Sequence, residues 1–229
     1  MSKSILIIGA SSGIGRSLTE QLLTQGYHVI SASRSNPNIP GVDHHDWTAP
    51  AAFPKEILPP VLHGVVYCPG TISLKPFHRF TMADFTSDFE VNTLGAVQVL
   101  QAAFGSLKAA GESSVVLFST VAVQTGMSFH ASVAASKGAI EGITRSLAAE
   151  WAPNKIRVNA IAPSLTQTPL ANALLSTPEK VEASNKRHPL GRVGQAVDVA
   201  NLAHFLLSDQ STWLTGQVIG LDGGMGSLK

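Results

Sequence analysis

A doubly wound parallel sheet in the α/β class is the fold this 229-residue sequence predicts, and three observations carry that expectation. Short, continuously apolar runs recur along the chain. Segments of helical period separate them, and the first run ends on a glycine-rich turn. Strands apolar on both sides need cover on both sheet faces, which intervening helices supply.

Residues 4–8 form the first apolar run. Ile14, Leu18 and Leu22 then recur at helical spacing, and Gly26 stops the helix. Further strand-like runs lie at 28–32, 64–68, 114–118, 156–161 and 217–221. Thr81 can cap a helix reaching Phe89, a second runs over 92–109, and Val133, Ile140, Ile143, Leu147 and Trp151 mark one face of a helix that Pro153 ends. Another helix is expected over 197–207. Between Asp46 and Val61 four prolines crowd the stretch where a crossover helix belongs, so a short or irregular helix is expected there. With no repeat, linker or shift in composition, residues 1–229 read as one domain.

Hydrophobic residues make up 44% of the chain and charged residues 14%, which excludes a disordered protein. Sixteen Lys+Arg against fifteen Asp+Glu leave a net charge of +1, too little field to hold nucleic acid or an anionic membrane. The single cysteine, Cys68, allows no intrachain disulfide and suits a reducing compartment. The N-terminal apolar run is too short for a signal peptide, and no stretch approaches the roughly 18 apolar residues of a membrane span. A soluble, cytoplasmic protein is expected.

Gly9, Ser11, Ser12, Gly13, Ile14 and Gly15 fall between the first strand and the first helix. Backbone amides and a helix N-terminus at such a turn can hold a pyrophosphate. The spacing Gly9-x-x-x-Gly13-x-Gly15 resembles the fingerprint of the short-chain dehydrogenase/reductase family, whose members are single Rossmann domains of about this length. The resemblance continues through Asn92 in Asn92-Thr93-Leu94-Gly95, the segment that begins at Lys137, residues 157–163, and residues 215–224.

After the second strand of such a fold, a carboxylate marks NAD and an arginine accommodates the 2′-phosphate of NADP. Here the residues are Ser33, Arg34 and Ser35, so NADP(H) is the expected cofactor. The resemblance further implies that Asp46, followed by Trp47, meets the adenine edge. It assigns Pro69 and Gly70 to the cofactor segment after the fourth strand, and Pro163, Leu165 and Thr168 to the nicotinamide end. Ser164 departs from the family's usual glycine after Pro163.

At the catalytic positions the pattern breaks. Relatives carry Tyr-x-x-x-Lys, with a serine thirteen residues before the tyrosine; this chain has Val133 four residues before Lys137, and Thr120 in the serine's place. Threonine keeps a hydroxyl to polarise an oxyanion, but valine donates no proton. Tyr27 and Tyr67 do not match the missing donor. His130 stands seven residues before Lys137, the spacing at which related enoyl-thioester reductases carry their tyrosine, and an imidazole can deliver a proton. The expected catalytic set is therefore Asn92, Thr120, Lys137 and His130. Adjacent His44 and His45 face opposite ways on a strand, and no metal site is expected.

The resemblance makes residues 169–188 a lid over the substrate. Met127, Phe129, Leu170, Leu174 and Leu175 suggest an apolar pocket, while Arg187 and His188 read as a solvated lid end. These features imply an NADP(H)-dependent oxidoreductase with an altered proton donor, acting on a small carbonyl or activated alkene. The alternative is a non-catalytic NADP(H)-binding sensor or scaffold. Family habit adds a homo-oligomer, tetramer or dimer, with Trp213 near an interface.

Overall fold

The computed structural model of the protein describes residues 2–228. In chain order the elements are β1 (Ser4–Ile8), α1 (Gly13–Thr24), β2 (His28–Ser33), β3 (Val42–Asp46), β4 (Gly64–Tyr67), α2 (Met82–Phe89), α3 (Gly95–Ala109), β5 (Ser113–Phe118), α4 (Ala122–Thr125), α5 (Ala131–Trp151), β6 (Ile156–Pro163), β7 (Thr166–Gln167), α6 (Pro178–Asn185), β8 (Gly194–Gln195), α7 (Ala196–Leu207) and β9 (Val218–Leu221).

Seven strands form one parallel sheet in the order β3-β2-β1-β4-β5-β6-β9. This is the doubly wound Rossmann-like arrangement that the alternation of strands and helices predicts. Because strand side chains alternate, β1 serves two cores. Leu6 and Ile8 pack with Val99, Leu107, Ile140 and Trp151 of α3 and α5 on one face. Ile5 and Ile7 pack with Leu18, Leu22, Val199 and Leu206 of α1 and α7 on the other. Burying each such aliphatic side chain contributes about 1.5–3 kcal/mol.

The chain leaves β1 in one direction toward β2 and returns on its other side at β4, so the crossovers diverge at the carboxyl ends of these two strands and open a crevice. Beside it, the 92–109 helix starts irregularly. Residues Glu90–Leu94 form a π-helical turn joining α2 to α3. The Val91 carbonyl there accepts a hydrogen bond from Tyr67 Oη at 2.6 Å, and the ring is buried. Gly95 permits this contact, because a Cβ on it would lie 2.2 Å from that oxygen.

One stretch differs from the sequence expectation and another agrees with it. Val42–Asp46 is an edge strand, unsignalled because His44 and His45 interrupt the apolar pattern. Between Asp46 and Val61 the crossover contracts to one 3-10 turn, Lys55–Ile57, as the prolines suggested. Thr81 caps α2 in a capping box with Asp84, as expected.

Candidate active site

The crevice holds two confluent cavities, of about 680 Å³ and about 490 Å³. They share Ile14, Cys68, Gly70, Thr71, Thr168 and Leu170 in their walls.

The larger cavity is built on the β1–α1 turn. Gly9 and Gly13 have φ of +84° and +55°, a region costly for any other residue. Gly15 lets the helix start under the turn, since a Cβ on it would lie 2.2 Å from the Gly9 carbonyl oxygen. No side chain caps α1, so its first-turn amides face the cavity without that competition. Ser11, Ser12, Ile14, Arg34, Trp47, Pro69 and Gly70 complete the wall. Ser33 spends its hydroxyl proton on the Ser35 carbonyl at 3.0 Å.

Asp46 stands outside the cavity wall. It ends β3 with its side chain 89% exposed, Oδ1 lies 3.2 Å from His44 Nε2, and Trp47 and Thr48 line the cavity instead. Strand alternation explains this, pairing Asp46 with His44 on one side while Asp43 pairs with His45 on the other. Among the described residues no cluster of His, Cys, Asp and Glu could hold a metal.

The smaller cavity collects Thr120, His130, Val133, Lys137, Pro163 and Leu165. Lys137 is buried, and loss of hydration lowers its pKa to about 8, with Cys68 and Asp88 acting in the opposite sense. Burial pushes the Cys68 thiol up to about 12, leaving it protonated and a poor nucleophile at neutral pH. Val133 sits one helical turn before Lys137 and contributes only methyl groups.

Asn92 lines neither cavity, contrary to a direct catalytic place. It is buried in the π-helical turn, where Nδ2 donates to Thr71 Oγ1 at 2.8 Å and to Ser136 Oγ at 2.9 Å, and Oδ1 accepts from the Thr71 amide at 3.0 Å. It thus ties the segment after β4 to α5. A Cβ on Gly70 would lie 3.6 Å from both Asn92 Oδ1 and Lys137 Nζ, so the bare glycine brings backbone close to the ammonium.

Comparison with known proteins places the chain. The family profile described as enoyl-(acyl carrier protein) reductase matches residues 43–226. L-xylulose reductase of Bos taurus is 34% identical over 96% of this chain and 94% of its own length. A tropinone reductase homologue of Arabidopsis thaliana is 33% identical over 97% and 91%. The chain belongs to the short-chain dehydrogenase/reductase family. A short-chain type dehydrogenase/reductase from Mycobacterium ulcerans superposes with a TM-score of 0.89 at 26% identity, covering 100% of this chain and 92% of the other.

In this short-chain dehydrogenase/reductase the stretch after β7 folds as 3-10 turns over Pro169–Leu175 followed by α6, and Leu170, Leu174, Lys180 and Arg187 line the smaller cavity. Met127 joins them, as the apolar-pocket reading expected. Phe129 does not, being 56% exposed with φ of +69°, and Leu175 also lies outside the wall. His130 half-emerges at the start of α5, its Nδ1–H donating to the Ser128 carbonyl at 2.7 Å.

The solvated reading of His188 is overturned. Its side chain is buried against α6 and lines the cavity. Nδ1 lies 2.8 Å from the Ser184 carbonyl, and Nε2 lies 2.9 Å from Ser164 Oγ. The signal available in sequence was the serine after Pro163, but its partner stands 24 residues further on.

Proposed function

We propose that this protein is an NADP(H)-dependent oxidoreductase that reduces a small carbonyl or an activated alkene, with a remodelled proton-donor site. The observation that carries this reading is the continuity of the cleft, from the glycine turn and Arg34 at one end to buried Lys137 at the other. The named reductases among its relatives support it.

A dinucleotide fits the residues present. The bare glycines and uncapped amides of α1 leave room and donors for a pyrophosphate held by Ser11, Ser12, Gly13, Ile14 and Gly15. Arg34 has no acidic partner among the described residues and is free to pair with a 2′-phosphate. Trp47 and Thr48 would bound the adenine, and Pro69, Gly70, Pro163, Leu165 and Thr168 the nicotinamide end. Once bound, the coenzyme supplies a hydride.

The chain's own residues then manage charge and proton. Lys137 would hold the ribose hydroxyls of the bound coenzyme and would oppose negative charge developing on the substrate oxygen. The Thr120 hydroxyl, whose oxygen accepts from the Ala122 amide at 3.3 Å, donates its proton toward that same oxygen. Asn92 acts as a positioning residue through Thr71 and Ser136. Val133 stands where relatives place a tyrosine, so the proton must come from another group. His130 is one such group, and with Nδ1–H engaged by Ser128 it can exchange a proton only at Nε2.

On this reading residues 1–229 act as one dinucleotide-binding domain with a lid over 169–188. Trp213, 99% exposed, supports assembly into a homo-oligomer.

Fluorescence titration of the purified protein with NADPH and, separately, NADH tests the cofactor. NADPH consumption with 2,3-butanedione, 9,10-phenanthrenequinone, 2-cyclohexenone and an N-acetylcysteamine crotonyl thioester tests the reaction. Saturable binding that favours NADPH, with turnover of at least one probe, is expected. Absence of binding to either nucleotide refutes the reading.

A further inference from the structure

Val133 leaves the cavity without a phenol, yet the wall also holds a serine whose hydroxyl is bonded to an imidazole. We propose that Ser164 and His188, resting on the reductase reading above, form the proton-delivery pair of this enzyme. Both line the cavity that contains Thr120 and Lys137.

The hydrogen bonds make the pair directional. A carbonyl oxygen can only accept, so the 2.8 Å contact with Ser184 requires the proton on His188 Nδ1. Nε2 is then the one ring atom free to change protonation, and its neighbour at 2.9 Å is Ser164 Oγ. When the ring is neutral, Ser164 donates to Nε2. When the ring is cationic, Nε2–H donates to Oγ and the serine proton turns outward to the cavity.

The ring is also held in place. The Ser184 carbonyl belongs to the last turns of α6, and the Gly223 turn closes the opposite side, where an added Cβ would come 3.7 Å from His188 Cβ. Ser164 is anchored through its own amide, which donates to the Leu221 carbonyl at 3.3 Å. A buried imidazole oriented by an acceptor and bonded to a hydroxyl is the arrangement that generally moves protons in enzyme sites.

The step balances as follows. A hydride from NADPH forms a C–H bond at the carbonyl carbon, or at the β-carbon of a conjugated alkene. The displaced π pair moves to the substrate oxygen, and NADPH is oxidised to NADP+. That oxygen takes the Ser164 hydroxyl proton while Ser164 takes the Nε2 proton of His188. The ring is left neutral, still donating through Nδ1, and its Nε2 proton returns through Ser164, which takes one from water in the cleft. Ser164 touches the reacting oxygen and is catalytic; His188 acts through it.

Steady-state kinetics with the four probes, alongside NADPH titration of each variant, tests this. Ser164→Ala and His188→Gln should each lower kcat by about 100-fold or more, the scale of a lost general acid, with KM and NADPH affinity within about threefold of wild type. Glutamine keeps a hydrogen-bonding amide but exchanges no proton. Ser164→Thr, which retains the hydroxyl, should keep most activity, and the double variant should be no worse than either single one. Added imidazole should restore part of the turnover of His188→Gly, a response that a packing role would not produce. Intact turnover in His188→Gln, or loss confined to His130→Ala, overturns the assignment while the reductase reading stands. If the wild type binds NADPH and reduces no probe, the reductase reading falls and the relay with it.

Discussion

Replacing Lys137 by methionine should reveal how much stability this protein gives up to keep an ammonium in its cleft. Burial lowers the lysine from an ordinary 10.5 to about 8. At about 1.4 kcal/mol per pH unit, that difference disfavours the charged form in the folded state by about 3 kcal/mol. The sign follows from proton counts. Above pH 8 the folded protein releases this proton, while the unfolded chain keeps it until about 10.5, so unfolding takes up a proton in that window and stability rises with pH. Below pH 8 both states hold the proton and the penalty is complete. Other groups titrate over the same range, so the informative quantity is the difference between wild type and Lys137→Met. Urea denaturation of the nucleotide-free proteins at pH 7, 8, 9 and 10 gives it directly. The stability of wild type relative to the variant should rise by about 2–3 kcal/mol between pH 7 and 10, or about 5–10 °C in Tm for a chain of this size. A difference that stays flat across those pH values would refute the reasoning, because it would mean that Lys137 is hydrated when the protein is folded.

Other substitutions probe the remaining parts of the site. Tyr67→Phe removes the donor to the Val91 carbonyl in the π-helical turn and should cost about 1–3 kcal/mol in urea denaturation. Gly95→Ala drives a Cβ to 2.2 Å from Tyr67 Oη and should cost about as much or more, and the cost should shrink in the Tyr67→Phe background, where the oxygen is gone. Arg34→Glu should weaken NADPH by about 10–100-fold in a fluorescence titration, with NADH nearly unaffected, if the guanidinium pairs with the 2′-phosphate. Val133→Tyr places a phenol into the cavity of about 490 Å³ and should raise carbonyl reduction over wild type; no gain would mean that the surrounding groups no longer aim a substrate at that position.

The fold was legible because it rests on periodicity and local chemistry. Apolar runs such as Ser4–Ile8 and Ser113–Phe118, and the helical spacing of Leu18 and Leu22, carry their burial in their own pattern. The glycine turn was legible for the same reason, since the φ values of Gly9 and Gly13 are demands made on single residues. Edge strand β3 carries no such pattern, because Val42 is its only aliphatic residue. For Asp46 the motif gave a position, whereas its pairing with His44 became visible only in the folded strand.

What the sequence determined by itself was therefore the sheet, its helices, the dinucleotide-shaped turn and the absence of a tyrosine at position 133. Tertiary structure alone decided that Asn92 braces the site from behind, 21 residues from Thr71 and 44 from Ser136. It alone buried His188 and set it on Ser164. Period and propensity are properties of neighbours along the chain, whereas a hydrogen bond across 24 residues exists only after the sheet and α6 have closed the distance.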